Sequence, residues 1–244
     1  MQTITAAGRA TQLRHLPGPG PTLLLLHGAS GTGASWEAIA AHWSWADLWI
    51  PDLPGRGVPA AGLDSVSSLA GWLSEVVAYT GAAVVVGHSL GGAIGLQLSL
   101  DEPQALKGLV MVASSARLRV SPAILEAVAQ SSEERPLDLG FAFGPDTDKA
   151  VIAAYRAQTM GVPAQAALAD WRACDAFDVR ARLAESKTPT LVAYGDADVL
   201  TPPKHQRGLV EALPEASELA LAGGHMLPWE QPLALSEGVR SWLL

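Results

Sequence analysis

The chain has few of the residues that cross-link secreted proteins or bind polyanions. Among 244 residues there is a single cysteine, Cys174, so an intrachain disulfide is excluded. Only 16 residues are lysine or arginine, against 24 aspartates and glutamates, which gives a formal net charge of −8. Nucleic-acid binding needs clustered basic side chains, so the composition argues against a nucleic-acid partner.

Long apolar segments are also lacking. The first residues do not show the charged and then apolar pattern of a secretory signal. The strongly apolar run nearest to them, residues 23–26, is too short to span a membrane. We therefore expect a cytoplasmic protein without a membrane partner. Because 49% of the residues are hydrophobic and 16% are charged, the chain can bury a large core.

Short runs of leucine and β-branched residues alternate with helical patterns over most of the chain. This alternation is typical of an α/β fold, in which helices cover both faces of a mostly parallel sheet. We expect an antiparallel hairpin in the first fifteen residues. Strands are predicted at 22–26, 47–50, 83–86, 108–112, 190–194 and 218–221, and helices at 34–42, 65–80, 90–100, 203–213 and 233–244.

The alternation stops between residues 117 and 186. Helical patterns at 122–131, 147–160 and 163–182 follow one another there without a convincing strand. A helical block inserted between two strands of one sheet is expected to lie over the strand ends. We therefore predict a core of residues 1–116 and 187–244 with a helical cap at 117–186. The alternative is an additional helical layer that contacts no site.

The strongest chemical signal is Gly87-His88-Ser89-Leu90-Gly91, which follows a predicted strand and precedes an apolar helix. A sharp strand–turn–helix junction exposes a serine to a base, and the glycines on either side leave room for the strained turn. The positive end of the following helix favours developing negative charge. This context predicts Ser89 as a nucleophile, although G-x-S-x-G alone arises by chance in a chain with 24 glycines.

A second loop, His27-Gly28-Ala29, follows the leucine run at 23–26. A nucleophilic serine requires two backbone N–H groups that stabilise the oxyanion formed in the reaction. We predict that the amide of Leu90, directly after the nucleophile, supplies one of them. The amide of Ala29 is predicted to supply the other.

The same loop raises the alternative of an NAD(P)-dependent dehydrogenase. Glycines at 28, 31 and 33 precede a helix, and Asp52 follows where an acid that binds a ribose would stand. The spacing is nevertheless G-x-x-G-x-G rather than G-x-G-x-x-G, and no tyrosine has a lysine four residues later. These differences disfavour a nucleotide cofactor.

A base and an acid are expected after the last two predicted strands, with the acid first. His225 follows the final strand and is predicted to be the general base. Asp196 and Asp198 both stand in the loop after the preceding strand, and their position alone does not choose between them. We interpret His27 and His88 as structural hydrogen-bonding groups. Metal-ligand spacing is absent, so no metal is expected.

Taken together and in this order, these motifs resemble the α/β-hydrolase superfamily, in particular its small-cap serine esterases. The resemblance covers nearly the whole chain and includes the segments 27–28, 51–57, 189–192 and 224–232. In that family the acid stands in a G-x-x-D-x-x-x-P pattern. This pattern favours Asp198, with Pro202, over Asp196.

The resemblance implies an α/β-hydrolase fold and cleavage of small or medium carboxylic esters through an acyl-enzyme, without a cofactor. Its expected partner is a small-molecule ester. Relatives that open epoxides or remove halides carry aspartate at the position of Ser89, and C–C hydrolases usually have tryptophan where Met226 stands. The alternatives are a C–C bond or lactone hydrolase, an acyltransferase, and a binding protein that has lost its activity.

Apolar side chains of the predicted cap are candidates for the wall of a substrate pocket. We name Phe141, Phe143, Met160 and Trp171. Each of them is equally expected to belong to the core of the cap itself.

Overall fold

One eight-stranded sheet runs through the computed structural model, which describes residues 1–57 and 62–244. The strands are β1 (Gln2–Ala6), β2 (Arg9–Leu16), β3 (Thr22–Leu26), β4 (Asp47–Pro51), β5 (Val84–His88), β6 (Gly108–Val112), β7 (Thr190–Gly195) and β8 (Ala216–Leu221). Their order is β1-β2-β4-β3-β5-β6-β7-β8. The pairs β1–β2 and β2–β4 are antiparallel, and the others are parallel. The predicted hairpin and mostly parallel sheet are confirmed.

Helices follow most of the strands. The α-helices of the described residues are α1 (Ala34–Glu37), α2 (Val66–Thr80), α3 (Leu90–Asp101), α4 (Pro122–Ala129), α5 (Lys149–Thr159), α6 (Ala164–Ala176), α7 (Pro203–Ala212), α8 (Leu227–Glu230) and α9 (Pro232–Leu243). Short 3-10 helices occupy Ala40–Trp43, Gly140–Ala142 and Arg180–Glu185. Within this described part, no helix is both long and apolar enough to span a membrane.

Two predicted helices are interrupted in the structure. The pattern at 34–42 divides at Ile39, whose φ of −112° and ψ of 4° leave the helical region. The pattern at 163–182 ends at Phe177, because the chain there pairs with another segment. The Val179 amide donates a hydrogen bond to the Ala116 carbonyl at 2.9 Å. Tertiary backbone bonds therefore override helical propensity at this point.

The core lies on both faces of the sheet, as β3 illustrates. Leu24 and Leu26 face the side covered by α2 and α3, whereas Leu23 and Leu25 face the side covered by α1 and α9. All four side chains are fully buried. Burial of each contributes roughly 1.5–3 kcal/mol to the free energy of unfolding. Polar side chains on either face of this strand would lose that contribution.

The parallel strands bring their following loops to one edge of the sheet. The loops after β3, β5, β7 and β8 carry the residues that the sequence singles out, at the strands' carboxyl ends. Helices α4, α5 and α6 all lie between β6 and β7 in the chain. The ends of this helical segment meet in an isolated antiparallel bridge between Arg117 and Asp178.

Two glycine substitutions are expected to change stability in opposite directions. A Cβ on Gly87 would lie 2.3 Å from the carbonyl carbon of Gly91, so the backbone would have to move in Gly87→Ala. We expect a loss of about 2 kcal/mol or more in the free energy of unfolding. Gly71, exposed within α2, has no atom within 4 Å of its Cβ position. Gly71→Ala should gain roughly 0.5–1 kcal/mol. Urea denaturation measures both, and a neutral Gly87→Ala would contradict the packing described.

Candidate active site

Ser89 occupies a strained turn between β5 and α3. Its φ of 51° and ψ of −116° lie where residues with a side chain rarely occur. Gly87 and Gly91 make the turn possible, because a Cβ on Gly91 would lie 2.6 Å from the Leu26 carbonyl oxygen. The Ser89 amide donates to the Val112 carbonyl at 2.8 Å, which fixes the turn against β6.

Three side chains from three different loops meet at this turn. The Ser89 Oγ lies 3.0 Å from His225 Nε2. On the other side of the imidazole, Nδ1 lies 2.9 Å from Asp198 Oδ2. His225 and Asp198 are each only 3% exposed. The arrangement allows the imidazole to accept the serine proton while the carboxylate faces the opposite nitrogen.

The Asp198 carboxylate is held by four donors. It accepts from the Leu200 and Thr201 amides at 2.8 and 2.9 Å and from Thr201 Oγ1 at 2.7 Å, besides its contact with His225. Burial alone would raise the pKa of Asp198. The interactions with His225 and Thr201 outweigh this effect and hold the pKa below its usual value. These contacts therefore favour the ionised form of the Asp198 carboxylate.

Asp196, the alternative acid, lies elsewhere. Its side chain is exposed, and its Oδ1 accepts a hydrogen bond from the Gly223 amide at 3.1 Å. That contact connects the loop after β7 with the loop after β8. The structure thus brings Asp198, and not Asp196, into contact with His225.

His27 and His88 are buried neighbours of the site with structural contacts. His27 Nε2 accepts from the Leu53 amide at 3.0 Å, so its Nδ1 carries the proton and donates to the Gly28 carbonyl at 2.8 Å. His88 Nε2 donates to the His225 carbonyl at 2.9 Å. Burial, the largest cause, lowers the pKa of both imidazoles to about 3, so they stay neutral.

The two predicted oxyanion donors lie next to Ser89 in the chain, for Leu90, and in the lining of the same cavity, for Ala29. Leu90 is the first residue of α3, so its amide has no acceptor within its own helix. Ala29 lies in the loop after β3 and lines the cavity above Ser89. Within residues 1–57 and 62–244 its amide donates to no protein group. In the described part of the chain, neither amide therefore has a protein acceptor.

A buried ion pair holds the Ala29 loop against helix α6. Ser30 has a left-handed φ of 57°, and its amide donates to Asp170 Oδ2 at 3.0 Å. Asp170 Oδ1 accepts from Arg56 Nη1 at 3.1 Å, and Arg56 Nε donates to the Gly31 carbonyl at 3.0 Å. Trp171 Nε1 donates to Ser30 Oγ at 2.8 Å. The strained loop is therefore fixed by side chains from outside it.

The loop that carries His225 is tied to the helical segment in a similar way. The His225 amide donates to the Ala142 carbonyl at 2.8 Å. Glu230 accepts from the Gly144 amide at 2.7 Å and from the Gly224 amide. Residues 142–144 consequently help to position the imidazole.

A narrow cavity of about 30 Å³ lies above Ser89. This volume is far below the 300–1,000 Å³ typical of pockets for drug-sized ligands. Apolar side chains from both the sheet edge and the helical segment wall it: Trp36, Leu139, Tyr155, Trp171, Leu200, Met226 and Trp229. In this conformation the cavity has room for a small group only.

The four candidate wall residues have different positions. Trp171 lines the cavity, whereas Phe143 is buried behind it, with its ring 5.4 Å from Tyr155. Phe141 and Met160 are 51% and 50% exposed and lie outside the lining, which corrects that prediction for both. Phe141 belongs to a 3-10 turn whose neighbours Leu139 and Ala142, three residues apart, occupy the inner side.

The sequence did not identify Tyr155, Leu139 or Trp229 as wall residues. Tyr155 lies on α5 with no motif around it, and only the fold brings it to Trp229, at a ring distance of 5.7 Å. Thr201 and Asp170 were missed for a similar reason. Thr201 follows Asp198 by three residues and Asp170 lies in the middle of α6, and neither position has a recognisable pattern.

Asp52, directly after β4, makes hydrogen bonds to other groups of the protein, one of them in the loop after β3. Asp52 Oδ1 accepts from the Gly33 amide at 2.7 Å, and Oδ2 accepts from Arg14 Nη1 at 3.0 Å. The acid that suggested a ribose contact therefore pairs with the protein itself, which removes the main support for the nucleotide alternative.

Comparisons with known proteins agree with this geometry. The carbamate hydrolase candidate RutD of Variovorax paradoxus is 32% identical over 86% of this chain and 87% of its own length. A segment of the polyketide synthase ThaQ of Burkholderia thailandensis is 30% identical over 85% of the chain, which spans 11% of that protein. A solved thermophilic esterase is 29% identical, with a TM-score of 0.84 over 99% of this chain and 96% of its own.

The family assignment follows from a match over most of the chain. The model of the alpha/beta hydrolase family covers residues 23–237, from β3 into α9, and thus includes Ser89, Asp198 and His225. The fold, the position of the site at the strand ends and the sequence match agree. The chain belongs to the alpha/beta hydrolase family and is a hydrolase.

Proposed function

We propose that the protein is a serine esterase that cleaves carboxylic esters of small or medium acyl groups. The observation that carries this proposal is the continuous chain of contacts from Ser89 Oγ through both nitrogens of His225 to Asp198. The esterase among the solved relatives supports the same bond type. In this proposal, side chains and backbone amides carry out the chemistry.

The proposed reaction begins with proton transfer. His225 Nε2 takes the proton of Ser89 Oγ as the oxygen attacks the acyl carbonyl, and Asp198 stabilises the resulting imidazolium. The imidazolium then protonates the departing alcohol oxygen, which leaves Ser89 acylated. In the second half His225 activates a water molecule, and the acid is released.

The amides of Ala29 and Leu90 are proposed to bind the oxyanion in both halves of the reaction. Their support is that Leu90 directly follows Ser89, that Ala29 lines the cavity above Ser89, and that neither amide has a protein acceptor within residues 1–57 and 62–244. A preorganised donor of this kind typically contributes about 10²–10³ in turnover. The positive end of α3 acts on the same oxygen.

We propose that residues 117–186 form a cap that restricts the acyl group. Leu139, Tyr155 and Trp171 come from this segment and wall the cavity above Ser89. These apolar side chains are proposed to contact the acyl group. A cytoplasmic location stays a prediction from the sequence.

Ser89→Ala tests the nucleophile. The variant should lose at least about 10³-fold in kcat on p-nitrophenyl acetate and butyrate, because the proposed acyl-enzyme forms on the Ser89 oxygen. Ser67→Ala, an exposed serine on α2, is the matched control and should keep wild-type kinetics. Retention of activity in Ser89→Ala would refute the assignment.

A pair of aspartate variants tests the acid. Asp198→Asn should reduce kcat by about 10⁴-fold, because the amide favours the wrong tautomer of the imidazole. Asp196→Asn should remain within about threefold of wild type, since its carboxylate only bridges two loops. Both values come from initial rates over a range of ester concentrations. Equal losses would show that neither aspartate has the proposed role.

The ion pair of Arg56 and Asp170 is expected to stabilise the loop that carries Ala29 and Ser30. Arg56→Met or Asp170→Leu alone leaves one buried charge unpaired, so each should cost about 3–5 kcal/mol in unfolding free energy. The double variant should be more stable than either single one. It should still show a reduced kcat, because Ser30 has lost its acceptor. Urea denaturation and ester kinetics measure the two effects, and additive stability losses would contradict a paired role.

A further inference from the structure

A second cavity, of about 530 Å³, has neither Ser89 nor His225 in its lining. It is formed by the loop after β6, the 3-10 helix Arg180–Glu185 and helix α7. Its floor is apolar, with Leu183 and Leu209 among the buried side chains. Its rim carries Arg117, Arg119, Arg180, Lys204 and His205. The volume lies within the range of small-molecule pockets.

The charge of this cavity is opposite to that of the chain. Four of the 16 lysines and arginines line it, and its lining contains no aspartate or glutamate, whereas the whole chain has a net charge of −8. Asp178 pairs with Arg180 at 2.7 Å and lies 3.6 Å from Arg117. This carboxylate therefore lies against two of the four cations, Arg117 and Arg180.

Two of the cations have no counterion of their own. Arg119 and Lys204 are exposed, and within residues 1–57 and 62–244 neither makes an ion pair or a side-chain hydrogen bond. Like charges brought together at a rim repel one another, so an anion between them would be stabilised.

We propose that this cavity binds an amphipathic anion, a small molecule with a phosphate or carboxylate group on an apolar body. The leucine floor accepts the apolar body, and the rim of Arg119 and Lys204 pairs with the anionic group. A purely charged ligand would leave the apolar floor exposed to water. A neutral one would leave Arg119 and Lys204 without an anionic partner.

The cavity shares residues with the surroundings of Ser89. Leu200 lines both cavities, and Thr201, which donates to Asp198, lines the second one. A bound anion would therefore contact side chains that adjoin the proposed acid. The binding itself is independent of the proposed esterase activity and is tested without any measurement of turnover.

Calorimetric titration with octyl phosphate and with octanoate tests the proposal. We expect saturable binding of at least one, and the tighter of the two identifies the head group. Octyltrimethylammonium, with the same apolar body and the opposite charge, should not bind, and inorganic phosphate should bind at least tenfold more weakly. Protein whose Ser89 has been blocked with a diethyl phosphoryl group should bind the octyl anion as tightly as free protein.

Matched charge variants locate the site. Arg119→Gln combined with Lys204→Gln should weaken binding about tenfold or more, because two charge-assisted contacts are lost. Lys107→Gln combined with Lys187→Gln removes the same net charge from exposed positions outside the cavity and should leave the affinity unchanged. All of these side chains are exposed, and circular dichroism should show the wild-type fold.

Three results would overturn the proposal. Absence of binding by both octyl anions at millimolar concentration would exclude an amphipathic anion site. Loss of binding after the Ser89 block would place the ligand in the cavity above Ser89. Equal weakening by the two double variants would show that only the net charge of the protein matters.

Discussion

The strained backbone at Ser89 is the constraint on which the rest of the site depends. A non-glycine residue with φ of 51° is stable only where its surroundings leave no alternative. The contact of Gly87 with Gly91, together with the bond from the Ser89 amide to β6, fixes those surroundings. The same turn exposes the hydroxyl and begins α3 with a free amide. One local conformation thus supplies both the proposed nucleophile and one of its oxyanion donors.

Residues of the helical segment between β6 and β7 position the two loops that carry Ala29 and His225. Asp170 and Trp171 on α6 fix Ser30 in its own left-handed conformation, and the Ala142 carbonyl accepts from the His225 amide. The loops after β3 and β8 are therefore positioned by residues far away in sequence. Because these contacts cross from the sheet edge to the helices, the shape of the cavity and the geometry around Ser89 depend on each other.

The sequence predicted those features that local chemistry determines. The glycines on either side of Ser89 and the leucine run before Ala29 each carry a local signal. The choice of Asp198, with Pro202, over Asp196 came instead from the resemblance to a known family. The features that were missed arise from tertiary contacts. Phe141 looked suitable for a pocket wall by composition, but the turn of Gly140–Ala142 points it outwards. Tyr155 became a wall residue because α5 packs over the sheet edge, which no pattern in α5 indicates.

The most direct test of the account is the mass of the protein during turnover. Acid quenching of the protein with excess p-nitrophenyl butyrate, followed by mass spectrometry and peptide mapping, should show one added butyryl group on Ser89. In Asp198→Asn the same adduct should form far more slowly, because the imidazole is then held in the wrong tautomer. An adduct on another residue, or rapid hydrolysis with Ser89 never acylated, would contradict the account.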